Sequence, residues 1–413
     1  MFNLSKQVGK VARGIHILTN VAWDGGHRRV FLEQWRRGRA QLPSIQPVRP
    51  DFSAEREALA AIAGKAAATH HPAFAIVRET ANSYVDAIDL LNAQGTPAFT
   101  ELSLNIYGSP VSNIQWAGYN AMAVARYFID EADRFHGHFE LDPEDNQLTA
   151  HDIKRHLEAG IGEAFGDAGM PVVISDTLTA KATAGRLRVQ LRADAKYSFY
   201  DAEQLLQHEV LIHSLTAING RRQPVLPSLG LGAPRTTATQ EGLATFAETI
   251  TGSMDLARMK RISLRIIAIE NALEGADFID VFRFFLDNGQ TEEESFNSAA
   301  RIFRGGDVRG RYPFTKDSVY AAGWLSVVAF FVWCLRNNRL ALARHLFCGR
   351  VHLSDVFVLS EDECEDLLQE PEFLPGWFQH IHTLAGSLAM MNVLNDLHIE
   401  EDLCVDAFRH TSH

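Results

Sequence analysis

Two short segments constrain this chain more than anything else in it. Residues 208–213 read H-E-V-L-I-H and residues 239–244 read T-Q-E-G-L-A. The first sets two imidazoles and a carboxylate on one helical stretch, and the spacing makes a demand on the backbone. Histidines four apart share a helix face, but His213 follows His208 by five. At about 100° per residue, five steps leave the side chains roughly 140° apart on an ideal helix. One wider π turn brings them back together, and such turns recur at functional sites. The six residues alone leave two readings open: two histidines on an ordinary helix, or a ligand pair on a widened one.

The chemistry favours a metal. Two His and one Glu around an open position form the ligand set of a hydrolytic zinc site. His208, His213 and Glu241 supply that set, and Glu209 is placed to be the general base for a metal-bound water. Ser198 and Asp201 form an S-x-x-D capping box, so a helix should begin near Phe199 and carry both histidines inside it. Leu205, Leu206 and Val210 give its apolar face, and Asn219-Gly220 is its expected stop. A loop rich in Pro and Gly spans 221–235; its G-L-G-A-P lacks the third glycine of a dinucleotide loop, and Pro234 interrupts it. Thr237 and Gln240 suggest a second box, with Glu241 on the first turn of the next helix. A carboxylate there is also what a helix dipole alone would favour. Glu248, seven residues on, could support a ligand from behind, although a solvated position is the plainer expectation.

These elements occur in an order that resembles a known family, the flavohemoglobin-expression-modulating QEGLA-motif proteins, related to the microtubule-associated tyrosine carboxypeptidases. The resemblance rests on H-E-V-L-I-H, Asn219-Gly220 followed by Gln223-Pro224, T-Q-E-G-L-A, R-I-F-R-G-G at 301–306 and F-T-K-D-S-V-Y-A-A-G at 314–323. It implies an HExxxH zinc metallopeptidase with His208, His213 and Glu241 on Zn²⁺ and Glu209 catalytic. Many relatives have small residues where this chain has Leu211 and Ile212, which bears on pocket shape more than on the metal.

Composition narrows the partners. A net charge of -12 argues against a general nucleic-acid or anionic-membrane binder, and equally against long-range attraction to an acidic protein tail. The four cysteines, at 334, 348, 364 and 404, form no C-x-x-C pair and read as reduced thiols of a cytoplasmic protein. The N-terminal residues have scattered bases and no continuous apolar core, so an amphipathic helix is expected there, not a secretory signal. The uncharged run 319–335 is shorter than the roughly 20 residues of a membrane span and reads as a buried helix.

The expected fold is mainly α with a small β-sheet, zincin-like (gluzincin-type), with a mostly helical region at 1–165 and a catalytic domain at 166–413. Pro43, Pro47 and Pro50 mark an extended connector at 41–53. Helices are expected over 54–68, 73–93 and 117–134. A polar stretch follows at 141–146, then a helix capped by Thr149 and Asp152 and running to Phe165. A short strand at 172–176 precedes a hairpin of 180–183 with 187–191 around Ala184-Gly185. An edge strand in front of a zinc helix suits a zincin, where it can hold an extended peptide. After Ser253 the chain reads as almost entirely helical.

Arg301, Arg304, Arg309, Arg311 and Lys316 crowd into residues 301–316 of this acidic chain. A cation there could hold a substrate carboxylate, and Arg304 and Lys316 are the chosen candidates. Tyr320 could donate to the oxyanion formed when water adds to a carbonyl. Taken together, the sequence is read as a zinc-dependent peptidase of carboxypeptidase type acting on a peptide or protein C terminus. Two rivals are an amidohydrolase acting on ligase-made amino-acid amides and a non-enzymatic regulatory protein with a structural metal or none.

Overall fold

The computed structural model describes residues 1–114, 118–134, 148–176, 178, 181–184 and 188–395. Ala117, Ala180, Gly185, Leu187, Cys404 and the stretch 141–146, all touched by the expectations above, lie outside them. In chain order the helices are α1 (Phe2–Val11), α2 (Ile17–Asn20), α3 (Gly25–Arg36), α4 (Ser53–Ala67), α5 (Ala73–Asn92), α6 (Pro97–Tyr107), α7 (Ala121–Arg134) and α8 (Ala150–Phe165). Strands β1 (Val172–Ser175), β2 (Ala182–Ala184) and β3 (Val189–Arg192) follow. Then come α9 (Phe199–Leu205), α10 (Leu215–Arg222), α11 (Thr237–Ile250), α12 (Leu256–Glu274), α13 (Phe278–Asp287), α14 (Glu292–Phe303), α15 (Val319–Arg336), α16 (Leu353–Leu359), α17 (Gly376–Gln379) and α18 (Ile381–Asn395). Residues 1–375 form one compact unit and 376–413 a second, whose described part is α17 and α18. Every residue of the candidate site belongs to the first unit.

The fold is mainly α with one small sheet, as the sequence leads one to expect. The sheet order is β1-β3-β2. β3 lies in the middle, parallel to β1 (Val172 opposite Val189) and antiparallel to β2 (Ala182 opposite Leu191). Val189 and Leu191 point to the buried face, in the alternation a half-buried strand requires.

The capping box at Ser198 forms: its Oγ accepts from Asp201 N at 3.1 Å and Asp201 accepts from Ser198 N at 2.8 Å. The box at Thr149 and Asp152 forms in the same way. The box expected at Thr237 does not. A tight turn, Pro234–Thr236, runs straight into α11, and Thr236 already has helical φ and ψ. No extended residue is left there to cap the helix, and Gln240 instead accepts from Thr216 Oγ1 at 2.9 Å. Glu241 is therefore the fifth residue of α11, past its first turn. Nor does Asn219-Gly220 stop its helix, since α10 continues to Arg222. Gly220 serves close approach instead: a Cβ there would lie 2.3 Å from the carbonyl oxygen of Leu229.

Packing sets the site. Phe278, Phe282 and Phe285 of α13 share one face and are buried with Phe31, Phe296 and Phe303. At about 1.5–3 kcal/mol for each fully buried Phe side chain, this cluster ties α12, α13 and α14 together. Helix α11 lies against α15, where a Cβ on Gly242 would come within 2.2 Å of the Gly323 carbonyl. By length and composition the stretch Lys316–Arg336 could also cross a membrane, but in the fold it carries the contact that holds Glu241 in place. Propensity alone predicts that Gly242→Ala stabilises α11 by up to about 1 kcal/mol. The backbone clash should reverse that sign and cost about 1–3 kcal/mol net, read as a lower denaturant midpoint. An unchanged or higher midpoint would show that the two helices do not meet this closely.

Candidate metal centre

The widened turn is present. Leu206–Ser214 forms a π-helix inserted between α9 and α10. Its longer repeat brings residues five apart onto one face, and the His208 and His213 rings lie 4.8 Å apart at 89°. Both present Nε2 to the same carboxylate oxygen. Glu241 Oε2 is 3.4 Å from His208 Nε2 and 3.7 Å from His213 Nε2. The potential ligand atoms of the three residues all lie within 4.8 Å of one another. Glu241 Oε2 is buried and has no aligned hydrogen-bond donor among the described residues. Two ring nitrogens and an orphaned buried carboxylate oxygen facing one point suit a divalent cation, and the nitrogen–oxygen mixture suits zinc.

Each ligand candidate is held from behind. His208 Nδ1 donates to Glu248 Oε1 at 2.5 Å, which leaves Nε2 as the nitrogen turned toward the shared point, where a metal would replace its proton. Glu248 is wholly buried, not solvated as the sequence led one to expect. Arg258 of α12 grips it through Nε at 2.6 Å and Nη2 at 2.8 Å. Burial raises the Glu248 pKa, but Arg258 and His208 outweigh it and bring it down to about 2. Burial likewise opposes a charged His208, yet the nearby Glu241 carboxylate and the hydrogen-bonded Glu248 raise its pKa to about 10. Glu241 is buried too, but the Lys316 charge and the two imidazoles hold it well below the usual carboxylate range. The raised His208 pKa shows that the neighbouring carboxylates favour positive charge at its Nε2. On the other side, Arg350 Nη2 donates to the His213 carbonyl at 2.9 Å.

Glu209, on the same π turn, accepts from the Ala184 backbone N–H at 2.8 Å, so the end of edge strand β2 orients the expected base. Lys316 is buried and donates to Glu241 Oε1 at 2.7 Å and to the Tyr320 hydroxyl at 3.4 Å. One candidate anchor therefore sits beside the ligand set, already engaged.

The basic stretch 301–316 is not all loop, since Arg301 lies on the last turn of α14, and its cations divide by role. Arg301 makes a two-point bond to Asp317, at 2.8 and 3.0 Å. Arg309 is exposed and paired with Asp307, and Arg311 is exposed with φ 70. Arg304 differs: its guanidinium lies over Phe314 at 5.4 Å, and its buried Nε and Nη2 have no hydrogen-bond partner among the described residues. Burial and the like charge of Arg301 push its pKa down to about 10. From α12 comes Arg265, whose buried Nε has no hydrogen-bond partner among the described residues but lies 3.9 Å from Asp317 Oδ2. Its pKa is pushed down to about 9 by burial and Arg301.

Arg258, Arg265 and Arg350 were invisible to sequence reasoning. Arg258 and Arg350 lie 50 and 137 positions from the histidines they support, and Arg265 lies 52 from its neighbour Asp317; no spacing rule reaches that far. The π turn was legible as a condition: the five-residue separation requires it if both histidines are to reach one ion.

A family model described as microtubule-associated tyrosine carboxypeptidase matches residues 31–396. Among curated proteins, none matches the chain.

Proposed function

The chain belongs to the microtubule-associated tyrosine carboxypeptidase family, and from that membership and the site geometry we propose that it is a zinc-dependent carboxypeptidase acting on a peptide or protein C terminus. The carrying observation is the convergence of His208 Nε2, His213 Nε2 and the unpartnered Glu241 Oε2, with a strand-tethered Glu209 on the same turn. This is the zincin-like site design, with HExxxH in place of the shorter motif.

Zinc bound by these three residues would polarise the scissile carbonyl and make an attacking water more acidic. Glu209 takes the water proton on its carboxylate and passes it to the leaving nitrogen. Its bond from the Ala184 N–H occupies Oε2 and leaves Oε1 for that proton. Tyr320 donates its hydroxyl to the oxyanion that develops as water adds, and Lys316 sits over the same ring, 4.8 Å from its centroid. Arg304 receives the terminal carboxylate of the substrate. Its unpartnered guanidinium, walled by burial and by Arg301, is where an anion relieves the most repulsion.

The test compares one peptide with its C-terminal amide. The wild-type protein should cleave the acid and largely spare the amide. Arg304→Ala should lower turnover of the acid by roughly 10- to 100-fold, the worth of a charge-assisted bond of about 1.5–3 kcal/mol, and so narrow the discrimination. Lys316→Ala should loosen Glu241 and slow both peptides alike. Equal cleavage of acid and amide by the wild type would rule out carboxylate anchoring and favour the amidohydrolase reading.

A further inference from the structure

We propose that the crevice between α1 and the turn Pro227–Gly230 binds a small multivalent oxyanion, such as a diphosphate or a phosphate ester. The crevice has a volume of about 620 Å³ and lies outside the metal centre. Lys6, Lys10 and Arg13 fall at i, i+4 and i+7 along one edge of α1 and the turn after it, and Arg221 of α10 faces them. None of the residues lining the crevice is acidic, although the chain carries a net charge of -12. Among the described residues, Lys6, Lys10 and Arg13 form no ion pair. Lys6, Lys10 and Arg13 repel one another around one concavity, and a compact anion with two or more charges reverses the sign of that energy.

The walls are fixed and the mouth is kept open. Ser5 is fully buried; it donates to Ser228 Oγ at 2.8 Å and accepts from Ser228 N at 3.0 Å, which ties α1 to the turn. Gly230 lets the turn press onto Arg221, since a Cβ there would lie 2.6 Å from Arg221 Cγ. Gly9 is the second, independent sign. It sits inside α1, where glycine is a poor helix former, and it lines the crevice. A Cβ at Gly9 would meet nothing within 4 Å, and its φ is not positive. Neither packing nor backbone conformation calls for glycine there, but a ligand entering the crevice does.

Calorimetry with inorganic diphosphate at about 0.15 M NaCl, where the screening length is about 8 Å, tests this. One saturable event per chain is expected. Lys10→Gln and Arg13→Gln should each weaken it about fivefold or more. Gly9→Leu should abolish it without lowering the melting temperature, because the added side chain fills open space in a better helix. Glycerol phosphate in place of diphosphate separates an organic phosphate ester from the free ion as the preferred form. Glu241→Ala should bind diphosphate unchanged, which separates this site from anion capture at the metal centre and from any failure of the carboxypeptidase reading. Non-saturating binding, binding indifferent to Lys10 and Arg13, or binding lost in Glu241→Ala would overturn the proposal.

Discussion

Glu209→Gln is expected to keep its metal and lose turnover by about 10² to 10⁴. Gln preserves the size of the side chain and can still accept from the Ala184 N–H through its carbonyl oxygen. What it cannot do at neutral pH is take a proton from the attacking water. The effect should fall on kcat, because the lost step lies in the chemistry and not in substrate binding. The measurement is steady-state turnover of an acid-ended peptide together with elemental analysis of the same preparation. Full activity with full metal would remove Glu209 from the mechanism. Metal lost along with activity would instead make Glu209 part of the binding site.

Metal content is the second large effect. The protein should purify with about one zinc per chain, and His208→Ala, His213→Ala and Glu241→Ala should each reduce it to near zero, since a catalytic site has only three protein ligands to lose. Glu248→Gln should be graded, not all-or-none. It keeps the shape but removes the charge that His208 Nδ1 donates to, and loss of such support costs about 10- to 100-fold in metal affinity. The readout is competition with a chelator of known affinity. Undiminished zinc in the three ligand variants would sink the assignment. Glu248→Gln with wild-type affinity but a lower melting temperature would leave Glu248 a purely structural role, holding Arg258 and α12 in place.

Some of this was written locally, in neighbouring residues. Capping at Ser198–Asp201 and Thr149–Asp152, the mainly helical character and the pairing of β2 with β3 follow from side chains three residues apart and from short-range alternation. The π turn was implied as well, because His208 and His213 can reach one point only on a widened helix. Where short-range rules met competition, they failed. Thr237 and Gln240 had the pattern of a cap, but the Pro234–Thr236 turn delivered the chain already helical. Glu248 looked solvent-facing on its own helix, until α12 covered it and Arg258 neutralised it.

By itself, then, the sequence determined which residue types stand where chemistry needs them: His208, Glu209, His213 and Glu241, with a surplus of cations between 301 and 316. Only the tertiary structure decided what each of those cations does. Lys316 met Glu241 because the close contact of Gly242 with Gly323 sets α15 against α11. Arg301 met Asp317, Arg309 turned outward to Asp307, and Arg304 was left against Phe314 with Nε and Nη2 lacking a hydrogen-bond partner among the described residues. Charge pairing depends on distances of a few ångströms between segments tens of residues apart. Those distances are set by helix packing, so five similar cations within residues 301–316 reached different ends.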